Sequence, residues 1–229
     1  MHFHVITLFP EIIKSYTSES ILARAIKNKK IKVTTYNPRD FAKGKLQKKW
    51  PDGNVTTYVD DRPYGGGPGM VLRAEPIIGA IDKALGKNKG TVILTTPGGK
   101  QFSNTDAEKL KKEKNIVIVC GRYEGVDSRV MKVLKTCLPA GRAKEYSVGP
   151  YVVTGGEIPA LIMIDAISRR VPGVLNKQES LEENRVSSSE IYTRPEVLEY
   201  KKRKYKVPEV LLSGHQAKIE EWKRRGKKN

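Results

Sequence analysis

The chain has 229 residues, enough for one large domain or for one domain with a small appendage. Its 43 Lys and Arg against 25 Asp and Glu give a net charge of +18, gathered at Lys27–Lys32, Lys43–Lys49, Lys201–Lys206 and Lys223–Lys228, so a polyanion and above all nucleic acid is the expected partner. Two cysteines are too few for a disulfide scaffold or a zinc site, no apolar run approaches the ~20 residues that span a bilayer, and Pro10 interrupts the N-terminus before a signal pattern forms, so a cytoplasmic, membrane-free protein is expected.

Apolar runs rich in β-branched residues recur at Phe3–Leu8, Ile31–Tyr36, Thr91–Thr96 and Asn115–Cys120, and these predict strands. Helical patterns fill the intervals. Pro10 and Glu11 suit a first turn and the pattern continues to Ile26. Ala74–Leu85, Thr105–Lys112, Val126–Leu134 and Glu157–Arg169 follow. The alternation predicts an α/β domain with a mainly parallel sheet over residues 1–169. Residues 170–189, with Pro172, Gly173 and a polar run, read as an interdomain linker. Residues 190–229, with Glu209–Leu212 and a helix near His215–Arg225, read as a small helical unit.

Glycine-rich segments follow the predicted strands, where ligands of such sheets bind. They are Thr96-Pro97-Gly98-Gly99, Gly121-Arg122-Tyr123-Glu124-Gly125, Ser147-Val148-Gly149-Pro150 and Thr154-Gly155-Gly156-Glu157. A further one, Val59–Met70, holds Gly65, Gly66, Gly67 and Gly69 behind Asp60, Asp61 and Arg62, inside a stretch from Pro38 to Arg73 that is too long for an idle connection. A tight turn explains such a cluster alone; the charges and Tyr64 favour ligand contact. Neither a P-loop nor the GxGxxG spacing is present. Arg122, Tyr123 and Glu124 either recognise a base or hold their loop as an Arg–Glu pair, and Asp165 with Arg169 reads first as a helix ion pair. Cys120 reads as packing.

In order along the chain, LFPE (Leu8–Glu11), NPRDF (Asn37–Phe41), VDDRPYGGGPGM (Val59–Met70), CGRYEGVD (Cys120–Asp127), YSVGPYVVTGGEIPA (Tyr146–Ala160), YTRPEV and VPEVLLSGH resemble the bacterial tRNA (guanine-N1)-methyltransferases of the knotted SPOUT class. The resemblance implies a homodimer with a trefoil-knotted cofactor site and a short C-terminal tRNA-binding domain. It implies S-adenosyl-L-methionine held by Leu94, Thr95, Thr96, Gly121, Val148, Gly149, Pro150, Tyr151, Val152 and Val153. The implied reaction is methylation at N1 of guanine 37 of tRNA, beside the anticodon, with a magnesium requirement.

By the same resemblance Arg169 is the catalytic arginine on the O6 side, and Gly69 belongs to the loop that admits the base. Asp60, Arg62, Tyr123 and Glu124 join it as substrate contacts. The family's general base is a linker aspartate, and Asn184 stands at that position; an amide cannot accept the proton, so Glu183 is favoured, with Glu182 or Glu124 as alternatives. Two other readings are a non-enzymatic RNA-binding protein, for which the charge suffices, and a knotted methyltransferase of ribosomal RNA, against which GGGPGM and YTRPEV argue.

Overall fold

The computed structural model describes residues 1–175 and 190–225 of the chain. Two compact units emerge, Met1–Leu175 and Asn176–Asn229.

The first unit is built on five parallel strands: β1 (His2–Ile6), β2 (Lys32–Tyr36), β7 (Thr91–Gln101), β8 (Asn115–Cys120) and β9 (Ala143–Ser147), in the order β2-β1-β8-β7-β9. Their continuous apolar runs mark strands covered on both faces. On one face Phe3, Val5, Ile116 and Ile118 meet α1 (Pro10–Thr17), α2 (Ser20–Lys27), α4 (Asn104–Leu110) and α6 (Glu157–Ser168). On the other, Ile6, Leu94, Val117 and Val119 meet α3 (Ala74–Leu85) and α5 (Arg129–Cys137). The expected parallel α/β domain is therefore present. Cys120 is buried in the first core, and burial pushes its thiol well up.

Seven strands, four between Pro38 and Arg73 with β9 in the first unit and two in the second, come from segments not expected to form strands, and one helix is broken. The pattern from Pro10 to Ile26 folds as α1 and α2, interrupted at Ser18–Glu19, with Ser20 at φ 53°. Between Pro38 and Arg73 lie two 3-10 turns (Pro38–Phe41 and Gly44–Leu46), a hairpin of β3 (Gln47–Lys49) with β4 (Val55–Thr57), and a short pair of β5 (Asp60–Asp61) with β6 (Val71–Leu72). The first unit also runs beyond the expected linker start at residue 170: Arg170 is buried, and Val171 and Val174 pack against the first core.

The second unit carries two short helices, α7 (Glu209–Leu212) and α8 (Gln216–Arg225), near the expected positions. They are preceded by an antiparallel hairpin, β10 (Val197–Tyr200) with β11 (Arg203–Lys206), so a purely helical unit is corrected. Its turn residues Lys201 and Lys202 both have positive φ, which places lysines where hairpins normally use Asn-Gly. No helix among the described residues is long and apolar enough to cross a membrane.

Candidate functional site

The carboxyl ends of β7, β8 and β9 open into a cleft of about 660 Å³. Chain excursions rather than side chains make it. In the β7–β9 ladder both Thr95 and Lys100 face Tyr146, so Thr96–Gly99 leave the ladder as a loop. The hydroxyl of Thr95 donates to Val119 O at 3.0 Å and ties β7 to β8 at this edge.

The cleft's back wall is the entry to α6. Gly156 N donates to Gly121 O at 2.8 Å, and a Cβ on Gly156 would lie 2.6 Å from Cys120 Cα and 2.7 Å from Gly121 N. Only glycine permits that approach of two backbones. Beside it Arg122 reaches across the site. Its Nε lies 3.1 Å from Glu157 Oε2, its Nη1 donates to Thr154 O at 3.2 Å, and its guanidinium covers the Phe9 ring at 4.3 Å. The Glu157 carboxylate is 2% exposed and accepts from Thr7 Oγ1 at 2.7 Å. Arg122 thus pairs with Glu157 and not, as one sequence reading had it, with Glu124.

Of the residues expected to hold the cofactor, Leu94, Thr95, Thr96, Gly121, Val148, Tyr151, Val152 and Val153 line the cleft; Gly149 and Pro150 do not. Gly149 lies in the turn behind it, where its carbonyl accepts from Ser147 Oγ at 2.9 Å. Val152 is 80% exposed, a large apolar side chain open to solvent beside the cleft. The lining also includes Pro97, from a strand-end loop the sequence pointed to, and Met131, Lys132, Glu145 and Pro159, which sequence reading missed. Met131 and Lys132 sit on the amphipathic helix α5, where nothing in the periodicity separates a cleft residue from a core one.

The glycine loop meets the cleft at one turn. Glu124 N donates to Met70 O at 3.0 Å, Leu72 N to Gly125 O at 2.9 Å and Asp127 N to Leu72 O at 2.9 Å, so the segment closing Val59–Met70 runs along Tyr123–Asp127. Gly69, at φ 83°, leaves no room for a Cβ, which would lie 2.8 Å from Glu124 Cγ. Tyr123, itself at φ 57°, has its hydroxyl pKa raised, first by burial and then by Asp60. Asp60, Gly69, Tyr123 and Glu124 therefore gather at this turn. Arg62 and Tyr64 are exposed on the loop, and Asp61 is held by Arg73.

Arg169 is elsewhere. It caps the far end of α6, about 18 Å along the helix axis from Glu157 at ~1.5 Å per residue, and it does not line the cleft. The expected Asp165–Arg169 ion pair is absent among the described residues; Asp165 instead accepts from Tyr16 OH at 2.8 Å. Glu182, Glu183 and Asn184 lie outside the described residues.

A parallel sheet covered on both faces, with a strand-end cleft that no phosphate-binding glycine fingerprint lines, makes an α/β domain with a ligand site at its strand ends, and its relatives give it the SPOUT methyltransferase class. The family model of tRNA (Guanine-1)-methyltransferase TrmD matches residues 1–229, and the chain belongs to that family. It is 44% identical to the tRNA (guanine-N(1)-)-methyltransferase of Clostridioides difficile over 98% of this chain and 91% of that one. The enzyme of the same name from Lachnospira eligens is 45% identical, covering 97% and 88%. Among solved structures, the tRNA (m1G37) methyltransferase of Aquifex aeolicus superposes with a TM-score of 0.74 at 41% identity, covering 98% of this chain and 88% of that one.

Proposed function

We propose that this chain transfers a methyl group from S-adenosyl-L-methionine to N1 of guanine 37 in tRNA. The observation that carries the reading is the joining of the strand-end cleft to the glycine loop through the Tyr123–Asp127 turn, which puts a cofactor-sized cavity beside a loop open to a base.

The cleft suits the cofactor. Leu94, Val148, Val152 and Pro159 offer apolar surface to an adenosine, and Glu124 and Glu145 offer negative charge to a cationic donor. Bound there, S-adenosyl-L-methionine supplies an electrophilic methyl group. Gly149 and Pro150 would act by shaping the turn under Tyr151 rather than by contact. Asp60, Arg62, Gly69, Tyr123 and Glu124 receive the flipped guanine.

Guanine N1 attacks only as its proton leaves, and charge then grows on O6. Arg169 supplies the cation for O6, and Glu183 takes the proton in place of the amide Asn184; Glu182 and Glu124 are the other carboxylates for that role. Because Arg169 ends α6 far from its own cleft, a second copy of the chain must bring it in. An exposed face of α6 with Ile158 and Ile162, beside exposed Phe9 and Tyr16, supports such a homodimer. The knotted path, the tRNA-binding role of residues 190–229 and a cytoplasmic setting complete the reading, the last because tRNA is processed there.

Magnesium is implied by the resemblance alone. Among the described residues no three acidic, imidazole or thiol side chains converge on a common point.

Mass spectrometry of nucleosides from unmodified tRNA treated with the protein and S-adenosyl-L-methionine should show 1-methylguanosine at position 37. Its absence refutes the proposal. In single turnover Arg169→Ala should abolish transfer and Glu183→Gln should slow it strongly; an unchanged Glu183→Gln overturns that assignment. A non-enzymatic RNA binder would give no heat with S-adenosyl-L-methionine in calorimetry.

A further inference from the structure

The hairpin of β3 and β4 is not accounted for by the cleft or by the glycine loop. It stands on the chain immediately before Val59–Met70, and most of it is exposed. Its ladder pairs Gln47 with Thr57, Lys48 with Thr56 and Lys49 with Val55. Paired residues share a face and so do alternate ones, which places Lys48, Trp50 and Thr56 on one side. The contacts agree: Trp50 Nε1 donates to Thr56 Oγ1 at 2.8 Å, and Lys48 Nζ lies 3.8 Å from the centre of the Trp50 ring.

The tip is built to hold this arrangement. Trp50 N donates to Asn54 O at 2.8 Å, Gly53 N to Trp50 O at 3.0 Å, and both carboxylate oxygens of Asp52 accept from Asn54. The single acidic side chain of the hairpin is thereby turned onto its own turn. Neither Lys48 nor Lys49 has a carboxylate partner among the described residues. The base is anchored, since Tyr58 N donates to Leu46 O at 2.8 Å and Val59 is buried in the second core.

The indole braces the hairpin but belongs to neither core of the domain. A partly exposed tryptophan, 42% open, forgoes part of its burial, and Lys48 and Lys49 present cations on both faces of the strand with no carboxylate beside them among the described residues. Both features are those of a surface that meets a polyanion carrying aromatic rings, which is the chemistry of RNA. The spacing fits as well. Three residue steps lead from Thr57 to Asp60, at most about 10 Å of chain, and three further steps of ~3.3 Å carry the indole about as far again.

We infer that the β3–β4 hairpin is an RNA-contact arm of the tRNA site: Lys48 and Lys49 meet phosphates, and the Trp50 indole stacks on a nucleotide about 20 Å or less along the strand from the target guanine. The inference rests on the reading of the chain as a tRNA methyltransferase and adds a substrate contact that the cleft does not contain.

The chain has two tryptophans, so Trp222→Phe leaves Trp50 as the sole indole reporter. Titration of that variant with unmodified tRNA should quench Trp50 fluorescence, and quenching reads contact whether or not methyl transfer occurs. In steady-state assays Trp50→Ala should raise KM for tRNA roughly ten-fold with little change in kcat, and Trp50→Phe should restore most of it. Lys48→Ala/Lys49→Ala should raise KM and lower the slope of log KM against log salt by about 1.5 to 2. Affinity for S-adenosyl-L-methionine and the melting temperature should stay unchanged in all three. Unquenched Trp50, or variants with native KM and salt slope, overturn the arm while leaving the methyltransferase reading intact. Absence of methylation by the native chain overturns that reading and leaves the quenching result to judge the arm as an RNA contact.

Discussion

Replacing Glu157 by Gln should destabilise the first unit far more than its conservative shape implies. The carboxylate is 2% exposed and has two partners, the Thr7 hydroxyl at 2.7 Å and Arg122 at 3.1 Å. An amide oxygen still accepts from Thr7. What is lost is the charge facing a guanidinium whose side chain is 19% exposed. Breaking a buried pair by neutralising one partner costs about 3–5 kcal/mol, and partial access of Arg122 to water brings this case to just below that range, about 2–3 kcal/mol. At ~2–4 °C per kcal/mol for a unit of this size, the melting temperature should fall by about 5–10 °C in scanning calorimetry. Arg122→Gln alone should also destabilise, because it strands the carboxylate. The double variant should be less damaged than the sum of the two, with a coupling of about 1–3 kcal/mol. A Glu157→Gln variant that melts within 2 °C of the native protein, or a strictly additive double variant, refutes the reasoning.

Gly156→Ala should abolish S-adenosyl-L-methionine binding in calorimetry, because a Cβ there collides with backbone of Cys120 and Gly121 and must open the cleft wall. Gly69→Ala should leave cofactor affinity within two-fold but lower kcat/KM for tRNA by about a hundred-fold, since both its φ of 83° and the Glu124 side chain oppose a methyl group. Stability should fall on acidification. Burial foremost, then His4, Lys32 and the terminal ammonium, hold His2 at about 4, and burial chiefly lowers His4, while the unfolded chain takes these protons near 6.5. The unfolded state therefore binds more protons as the pH drops from about 6.5 towards 4, so urea midpoints should decline over that window and flatten in His2→Asn/His4→Asn.

What the sequence made legible is what local pattern encodes. β1, β2, β8 and the first half of β7 are runs of β-branched residues covered on both faces, and α3 appears at its expected bounds because its apolar residues keep the helical period. β9 reads AKEYS and escapes the pattern because it is an edge strand with only Tyr146 and Ser147 buried. The β10–β11 hairpin escapes because its turn is made by Lys201 and Lys202 in a conformation that usually signals itself through glycine or asparagine. At the site, the glycine loops could be found and ordered in the sequence, since close backbone approach demands glycine. The pairing of Arg122 with Glu157 could not, because it depends on how the α6 entry crosses the end of β8, and Glu124 was an equally good partner on paper. The same holds for Asp165, whose partner Tyr16 lies on a different helix.

The turn from Gly121 to Asp127 explains why one short motif does so much in this chain. Its first residues are fixed to the back wall of the strand-end cleft, where Gly121 O accepts from Gly156 N and Arg122 binds Glu157 and Thr154. Its last residues are fixed to the end of the glycine loop, where Glu124 N and Gly125 O exchange bonds with Met70 and Leu72. Methyl transfer needs its two reacting atoms within about 3–3.5 Å and in line, and an error of ~1 Å is costly. If the two half-sites hung on separate flexible loops, their errors would add. Here both are referenced to the end of the buried strand β8 through a few consecutive residues. Under the proposed function, loosening the buried Glu157 pair should therefore act on methyl transfer at a distance, because Arg122 and the turn that joins the cleft to the glycine loop would shift with it.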